Sequence, residues 1–138
     1  MARLIVEVVT AEWKFADLVY ELLMYVSVTM PDTGNSVTGL TVKNFRLSAP
    51  LGFIRDFNIS RCCENKWETE NVEPSGCYEL FLSQRVLQES TSGQIPERIK
   101  WVKGEIYPFG LQARVFDTYK GKVIHQGQTV IAIESLGN

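Results

Sequence analysis

The fold is decided by residues 26–47, which read VSVTMPDTGNSVTGLTVKNFRL. In the first five residues valine and methionine alternate with serine and threonine, as expected of a strand with one buried face. The next five, PDTGN at 31–35, supply a proline with a preset φ, a side chain that can cap its own turn, and two residues that tolerate positive φ. A second extended run, SVTGLTV, follows. Two extended runs around such a segment predict a hairpin connection.

The same period of two recurs along the rest of the chain. It is clearest at 107–115, where tyrosine, phenylalanine, leucine, alanine and valine alternate with proline, glycine, glutamine and arginine. Clusters of glycine, proline, serine and asparagine separate the runs. We therefore predict strands at 3–10, 20–30, 36–41, 43–48, 55–62, 77–83, 98–116 with a break near Gly104, and 123–134. Such a series predicts an all-β antiparallel sandwich of about 7–9 strands.

Residues 12–23 allow two interpretations. Apolar side chains recur there at helical spacing, which would give one short helix. Leu22, Met24 and Val26 also alternate, which would give a continuous strand. Periodicity alone does not decide between helix and strand in a segment of this length.

Composition indicates an ordinary globular protein. The chain has 138 residues, of which 45% are hydrophobic and 22% charged, so we expect residues 1–138 to form a single domain. The net charge of −2 gives no general attraction to nucleic acid or to an anionic membrane. The longest apolar stretch, 18–30, is interrupted by polar residues, and the start lacks the pattern of a signal peptide. We expect a soluble protein, cytoplasmic by default, with neither nucleic acid nor membrane as a partner.

The stretch at 26–47 resembles a feature of immunoglobulin-like bacterial β-sandwich modules. In those modules a strand leads into a D-x-G-N turn, then V-x-G-L-T, then an aromatic strand opening. The resemblance extends to the alternating residues at 76–82 and to 101–111. It implies an immunoglobulin-like sandwich and specifies fold rather than function. Residues 73–78 also resemble the tyrosine corner of immunoglobulin-type domains, in which a tyrosine at a strand start bonds to upstream backbone.

Asp32-Thr33-Gly34 is also the tripeptide that carries the catalytic carboxylate of aspartic proteases. A small chain with one such motif would have to dimerise, because two carboxylates must share a proton. The resemblance to retroviral-type proteases covers three residues. It fails at Pro31 and Asn35, where those proteases carry an apolar residue and a small alanine. A turn accounts for more of the residues, and a homodimeric aspartic-type protease using Asp32 is the alternative function.

Cysteine and histidine content favours a non-catalytic protein. Cys62, Cys63 and Cys77 are odd in number and two are adjacent, so we expect free thiols, with one bridge to Cys77 as the other arrangement. His125 is the only histidine and lies in the last predicted strand. The spacings of structural zinc sites and the glycine patterns of phosphate loops are both missing. We expect neither a metal nor a cofactor.

Two long polar segments are the candidate binding surfaces. Residues 64–75 hold four glutamates and Trp67, and 88–97 is rich in serine, threonine and glycine. Because no core period includes Trp67, it is placed in a loop, where an aromatic side chain can anchor a partner. We predict a binding or assembly module that contacts a protein partner or a second copy of itself. Its predicted binding residues are Trp67, Glu68 and Glu70.

Overall fold

The computed structural model describes residues 2–16, 19–48, 59–68, 72–83 and 102–135. Their strands are β1 (Ala2–Arg3), β2 (Ile5–Ala16), β3 (Val19–Thr29), β4 (Phe45–Ser48), β5 (Arg61–Glu68), β6 (Val72–Ser83), β7 (Ile106–Phe116) and β8 (Val123–Glu134). A single 3-10 turn, Val42–Asn44, precedes β4. Within these ranges no helix has the length and apolar character needed to cross a membrane. The all-β prediction is confirmed.

The strands form two sheets packed face to face. The β7–β8 sheet has the order β1-β8-β7-β4, and the β3–β6 sheet has the order β2-β3-β6-β5. Every pairing is antiparallel except that of the two-residue β1 with β8. Without β1, the sheets have the ABED and CFG strand orders of constant-type immunoglobulin domains. The fold is therefore an all-β sandwich with the strand order of that domain type.

The N-terminal segment crosses from one sheet to the other at Leu4. Residues before it pair with β8, and the Leu4 amide donates to the carbonyl of Gln126 at 2.8 Å. Ile5 then begins the pairing with β3. At the crossing the chain passes so close to Gly127 that an added Cβ would lie 2.8 Å from the Leu4 carbonyl carbon and overlap its oxygen. Only glycine fits β8 at this point.

The core lies between the two sheets. Its ten largest side chains with almost no exposed surface are Tyr78, Phe109, Leu22, Met24, Leu47, Leu80, Leu82, Leu111, Ile133 and Val26. Burying each one contributes about 1.5–3 kcal/mol relative to leaving it exposed. The rings of Phe45 and Tyr78 meet edge to face with centroids 5.3 Å apart, which joins the two sheets.

The helical interpretation of residues 12–23 is wrong. Residues up to Ala16 belong to β2, and those from Val19 belong to β3. The two strands pair from Ile5–Thr29 to Ala16–Val19, with one shift of register between Val8 and Thr10. Among the described residues, apolar side chains at helical spacing lie on both faces of this hairpin. Leu22 enters the core, whereas its neighbour Leu23 is buried on the outer face, opposite Phe81. Burial on both faces imitates a helical period, because neither face then shows simple alternation.

The predicted strand at 36–41 is also wrong. Only Ser36 makes a bridge, with Thr29, and the chain then runs as a connection into the 3-10 turn. Asn44 ends that turn and donates from its side chain to the carbonyl of Arg114 at 2.7 Å. The connection therefore carries the chain from the β3–β6 sheet to the β7–β8 sheet. The predicted strand at 55–62 overlaps β5 only at Arg61 and Cys62, because β5 begins at Arg61 and runs on to Glu68. The remaining predicted strands overlap observed ones within the described residues.

Candidate functional site

Residues 31–35 form a turn, as predicted. The Met30 amide donates to the carbonyl of Asn35 at 2.9 Å, and the Met30 carbonyl accepts from the amide of Gly34 at 2.9 Å. Gly34 has a φ of 70°, which explains why a glycine stands there. Asp32 lies exposed at the tip. A protease would need this carboxylate to meet that of a second chain, and that alternative stays a prediction.

The predicted binding residues Trp67 and Glu68 lie in a strand. The structure places both in β5, where Trp67 pairs with Glu73 and Glu68 with Val72, so the loop assignment is wrong. The strand is not evident in the sequence, because the register shifts between Glu64 and Lys66 and the polar residues show no alternation. Glu70 and the segment 88–97 lie outside the described residues. The binding role of these residues stays a prediction.

Glu64 points into the sandwich from the edge strand β5. One carboxylate oxygen accepts from the amide of Gly39 at 2.9 Å, and the other accepts from the amide of Gly76 at 3.0 Å. Both glycines have positive φ, at 78° and 75°. The carboxylate thus binds the β3–β4 connection to a sharp irregularity in β6. An inward-facing charge also protects an edge strand from pairing with another chain.

Tyr78 completes the attachment of the same connection. Its hydroxyl donates to the carbonyl of Val37 at 2.6 Å and accepts from the amide of Leu40 at 3.2 Å. Burial, with the nearby Glu64 charge as a smaller cause, raises the pKa of Tyr78, so the hydroxyl keeps its proton. The bonded carbonyl is 41 residues upstream, in a different connection. The predicted tyrosine corner is therefore wrong, because such a corner bonds to backbone only a few residues away.

Cys62 also faces this polar cluster, with its sulfur 3.8 Å from the Leu40 carbonyl oxygen. Cys62, Cys63 and Cys77 are all free thiols. Burial, followed by the charges of Cys63 and Glu64, raises the pKa of Cys62 to about 11. The half-buried Cys62 thiol thus contrasts with the exposed Cys63 next to it.

This contrast predicts selective alkylation. Because burial keeps most of the Cys62 thiol protonated at about pH 8, we expect iodoacetamide to modify the exposed Cys63 roughly 10-fold faster or more. Timed quenching followed by fragmentation mass spectrometry resolves the two adjacent sites. In concentrated urea the two rates should converge. Equal rates in the folded protein would contradict the burial of Cys62.

The outer face of the β7–β8 sheet carries guanidinium and carboxamide side chains in two cross-strand rows. Register partners share a face of a sheet, and so do residues two apart on one strand. The first row crosses β4, β7 and β8, and the second crosses β7, β8 and β1. We call them the Arg–Gln rows. The first row consists of Arg46, Gln112 and Gln128, and the second consists of Arg114, Gln126 and Arg3.

A depression of about 370 Å³ lies within these rows. Its lining consists of Arg3, Leu4, Gln112, Gln126, Gly127 and Gln128. The guanidinium carbon of Arg114 lies 5.2 Å from the ring centroid of Phe116, a cation–π contact that holds the side chain along the sheet. The Nε of Arg114 and the Oε1 of Gln112 are buried and have no hydrogen-bond partner within the described part of the chain. Unsatisfied buried polar atoms are rare in folded proteins.

The other end of the same outer face is apolar. Pro108 pairs with Ala132, and Ile106 and Val130 stand beside them with 67% and 72% of their surface exposed. We call these four residues the apolar patch. Exposed apolar groups clustered on one surface mark interaction sites more often than scattered ones do. The sequence does not reveal this face, because alternation in 106–116 marks its outward positions only as the solvent side of a strand.

Comparison with known proteins gives no match to a family model, a curated protein or a solved structure. The candidate site therefore rests on the geometry of this chain. In the ranges that the structure describes, no group of three or more histidine, cysteine, aspartate or glutamate side chains could hold a metal ion. The Arg–Gln rows and the apolar patch offer hydrogen bonds, positive charge and apolar contact, which is the chemistry of binding.

Proposed function

We propose that the chain is a non-catalytic binding or assembly module that holds a protein partner on the outer face of its β7–β8 sheet. The observation that carries the proposal is the apolar patch next to the Arg–Gln rows. Protein interfaces combine an apolar centre with polar surroundings, and arginine is enriched in them. The strand order supports a relation to bacterial immunoglobulin-like modules. The three free thiols suit the cytoplasm, where cysteines stay reduced.

The sheet edges support a face rather than an edge as the contact. In the β7–β8 sheet the outermost strands are β1 and β4, with 2 and 4 residues. In the β3–β6 sheet, β2 has a register irregularity at Val9, and β5 turns Glu64 inward. Short strands, bulges and inward charges are the features by which natural sheets avoid edge pairing. The broad outer face is therefore the more suitable surface.

A different protein suits this face better than a second copy does. Two copies packed through the same outer face would bring both sets of arginines into one interface. Like charges in a desolvated interface cost affinity. The favoured occupant is therefore a partner with another charge pattern.

Site-specific photo-crosslinking tests this function. Val130 on the proposed face is the test position, and Val9 on the other sheet is its matched control, since the two are 72% and 78% exposed. A photoreactive amino acid at position 130, in the cell that makes the chain, should give one dominant crosslinked protein. The same group at position 9 should not. Ile106→Asp, which puts a charge into the apolar patch, should remove the crosslink.

Three results would contradict the proposal. Equal products from both positions would show that the face is not selective. Crosslinking only from position 9 would place the contact on the other sheet. A crosslink that survives Ile106→Asp would mean that the apolar patch is not used.

Sedimentation separates this function from the protease alternative, because a monomer cannot supply two copies of Asp32.

A further inference from the structure

We infer that the partner segment contacting the Arg–Gln rows is an acidic peptide in an extended conformation. This inference rests on the proposed function and specifies the chemistry of the partner. It concerns the polar end of the face, whereas the crosslinking experiment concerns the apolar end.

The charge of the rows carries the first step of the argument. They contain three arginines and no carboxylate among six side chains contributed by four strands. Arg3 lies exposed on β1, and Arg114 is held against Phe116 on β7. A partner that contacts both arginines must offer negative charge to offset the desolvation of their guanidinium groups.

Spacing carries the second step. Neighbouring strands are about 4.8 Å apart, so the backbones of Arg114 and Arg3, two strands apart, are separated by about 10 Å. Alternate side chains of an extended peptide repeat about every 7 Å on one side. Long arginine side chains can accommodate the remaining difference. Carboxylates on one side of an extended segment can therefore meet both arginines.

The orphaned polar atoms carry the third step. The Nε–H of Arg114 needs an acceptor, and the Oε1 of Gln112 needs a donor. An acidic peptide offers both, since its carboxylates accept and its backbone N–H groups donate. The two atoms belong to neighbouring residues on one face of β7. One short segment can thus satisfy both when the side chains adjust.

A nucleic acid fits this surface less well than a peptide does. Single-stranded nucleic acid is bound by positive grooves with aromatic side chains on which bases stack. The aromatic ring next to the rows, that of Phe116, is already covered by the guanidinium of Arg114. The apolar patch on the same face suits the apolar side chains of a protein rather than a nucleic acid. The net charge of −2 also gives the chain no general attraction to nucleic acid.

Fluorescence anisotropy with the full chain tests the inference. The probe is a short labelled peptide of alternating glutamate and leucine, and its counterparts carry glutamine or lysine in place of glutamate. We expect the glutamate peptide to bind at least about 10-fold more tightly than the glutamine one, and more weakly as salt rises. Arg114→Gln and Arg3→Gln should each weaken binding about 5- to 10-fold. Circular dichroism checks that both variants fold.

Lys14→Gln is the matched control. Lys14 is an exposed cation on the other sheet, and its Nζ lies 3.2 Å from the Glu12 carboxylate. Such surface pairs contribute little to stability, so Lys14→Gln should leave the fold intact and change the peptide affinity less than about 2-fold. An equal effect of Lys14→Gln and Arg3→Gln would overturn the inference. So would an oligothymidylate that binds as tightly as the acidic peptide. If the glutamine peptide binds as well as the glutamate one and Ile106→Asp abolishes both, the acidic segment is wrong while the proposed face stands.

Discussion

Replacing Gly127 with alanine should lower the free energy of unfolding by about 3 kcal/mol, the upper end of what overpacking typically costs. The new Cβ would lie 2.8 Å from the Leu4 carbonyl carbon and overlap its oxygen. Both segments meet here through their backbones. Gly127 of β8 is paired with β7, and the Leu4 amide donates to the carbonyl of Gln126. Neither can move without breaking hydrogen bonds. The strain should therefore open the sheet crossing at the N-terminus.

Gly110→Ala is the matched control for this substitution. Gly110 lies on β7 of the same sheet, and its added Cβ would meet only the Ser48 side chain at 3.5 Å, an ordinary contact. We expect its stability to stay within about 1 kcal/mol of wild type, since the loss of glycine also restricts the unfolded chain. Urea unfolding followed by circular dichroism gives both values. Equal losses in the two variants would contradict the close crossing at Leu4.

Replacing Glu64 with glutamine should lower the free energy of unfolding by about 2 kcal/mol. The carboxylate now accepts from two amides, those of Gly39 and Gly76, with one oxygen each. Glutamine offers one oxygen and one NH2 group, so one of the two amides would face another donor. The attachment of residues 37–40 would then depend more on the Tyr78 hydroxyl, which bonds to Val37 and Leu40.

A double-mutant cycle with Tyr78→Phe tests this coupling. Both side chains hold residues 37–40, so we expect an interaction energy of about 0.5–3 kcal/mol, as found for residues in one network. Glu7→Gln, an exposed glutamate on β2, is the control and should change stability by less than about 0.5 kcal/mol. Additive effects of Glu64→Gln and Tyr78→Phe would contradict a shared role. So would a loss no larger than that of Glu7→Gln.

Local pattern made most of the fold predictable. Alternation identified β7, β8 and the part of β3 after Leu23, because one face of each is more deeply buried than the other. It failed at Leu22 and Leu23, which are buried on opposite faces, and at the connection containing Leu40, which is buried without being a strand. Alternation of apolar and polar residues cannot identify burial on both faces of a strand or burial within a connection. The sheet crossing was also not predictable, because Gly127 resembles any strand glycine until Leu4 is seen beside it.

The candidate site was not predictable for a different reason. In the Arg–Gln rows, Arg3 lies beside Gln126 although most of the sequence separates them. Predicting this contact requires the exact register, because a shift of one residue would move either side chain to the other face of the sheet. The sequence drew attention to Trp67 instead, because a conspicuous aromatic residue in a polar segment suggests an anchor. Glu64 was interpreted as part of that polar segment, although its carboxylate faces inward to two backbone amides.

The most direct test of the central claim is the ¹⁵N–¹H correlation spectrum of the full chain during titration with the glutamate–leucine peptide. We predict that shift changes concentrate at residues 110–116 of β7 and 124–132 of β8, whose outward side chains lie on the outer face of the β7–β8 sheet. Residues 21–27 and 77–82 of the other sheet should stay unchanged. Shift changes centred on the β3–β6 sheet, or none at saturating peptide, would contradict the claim that this face binds an acidic partner.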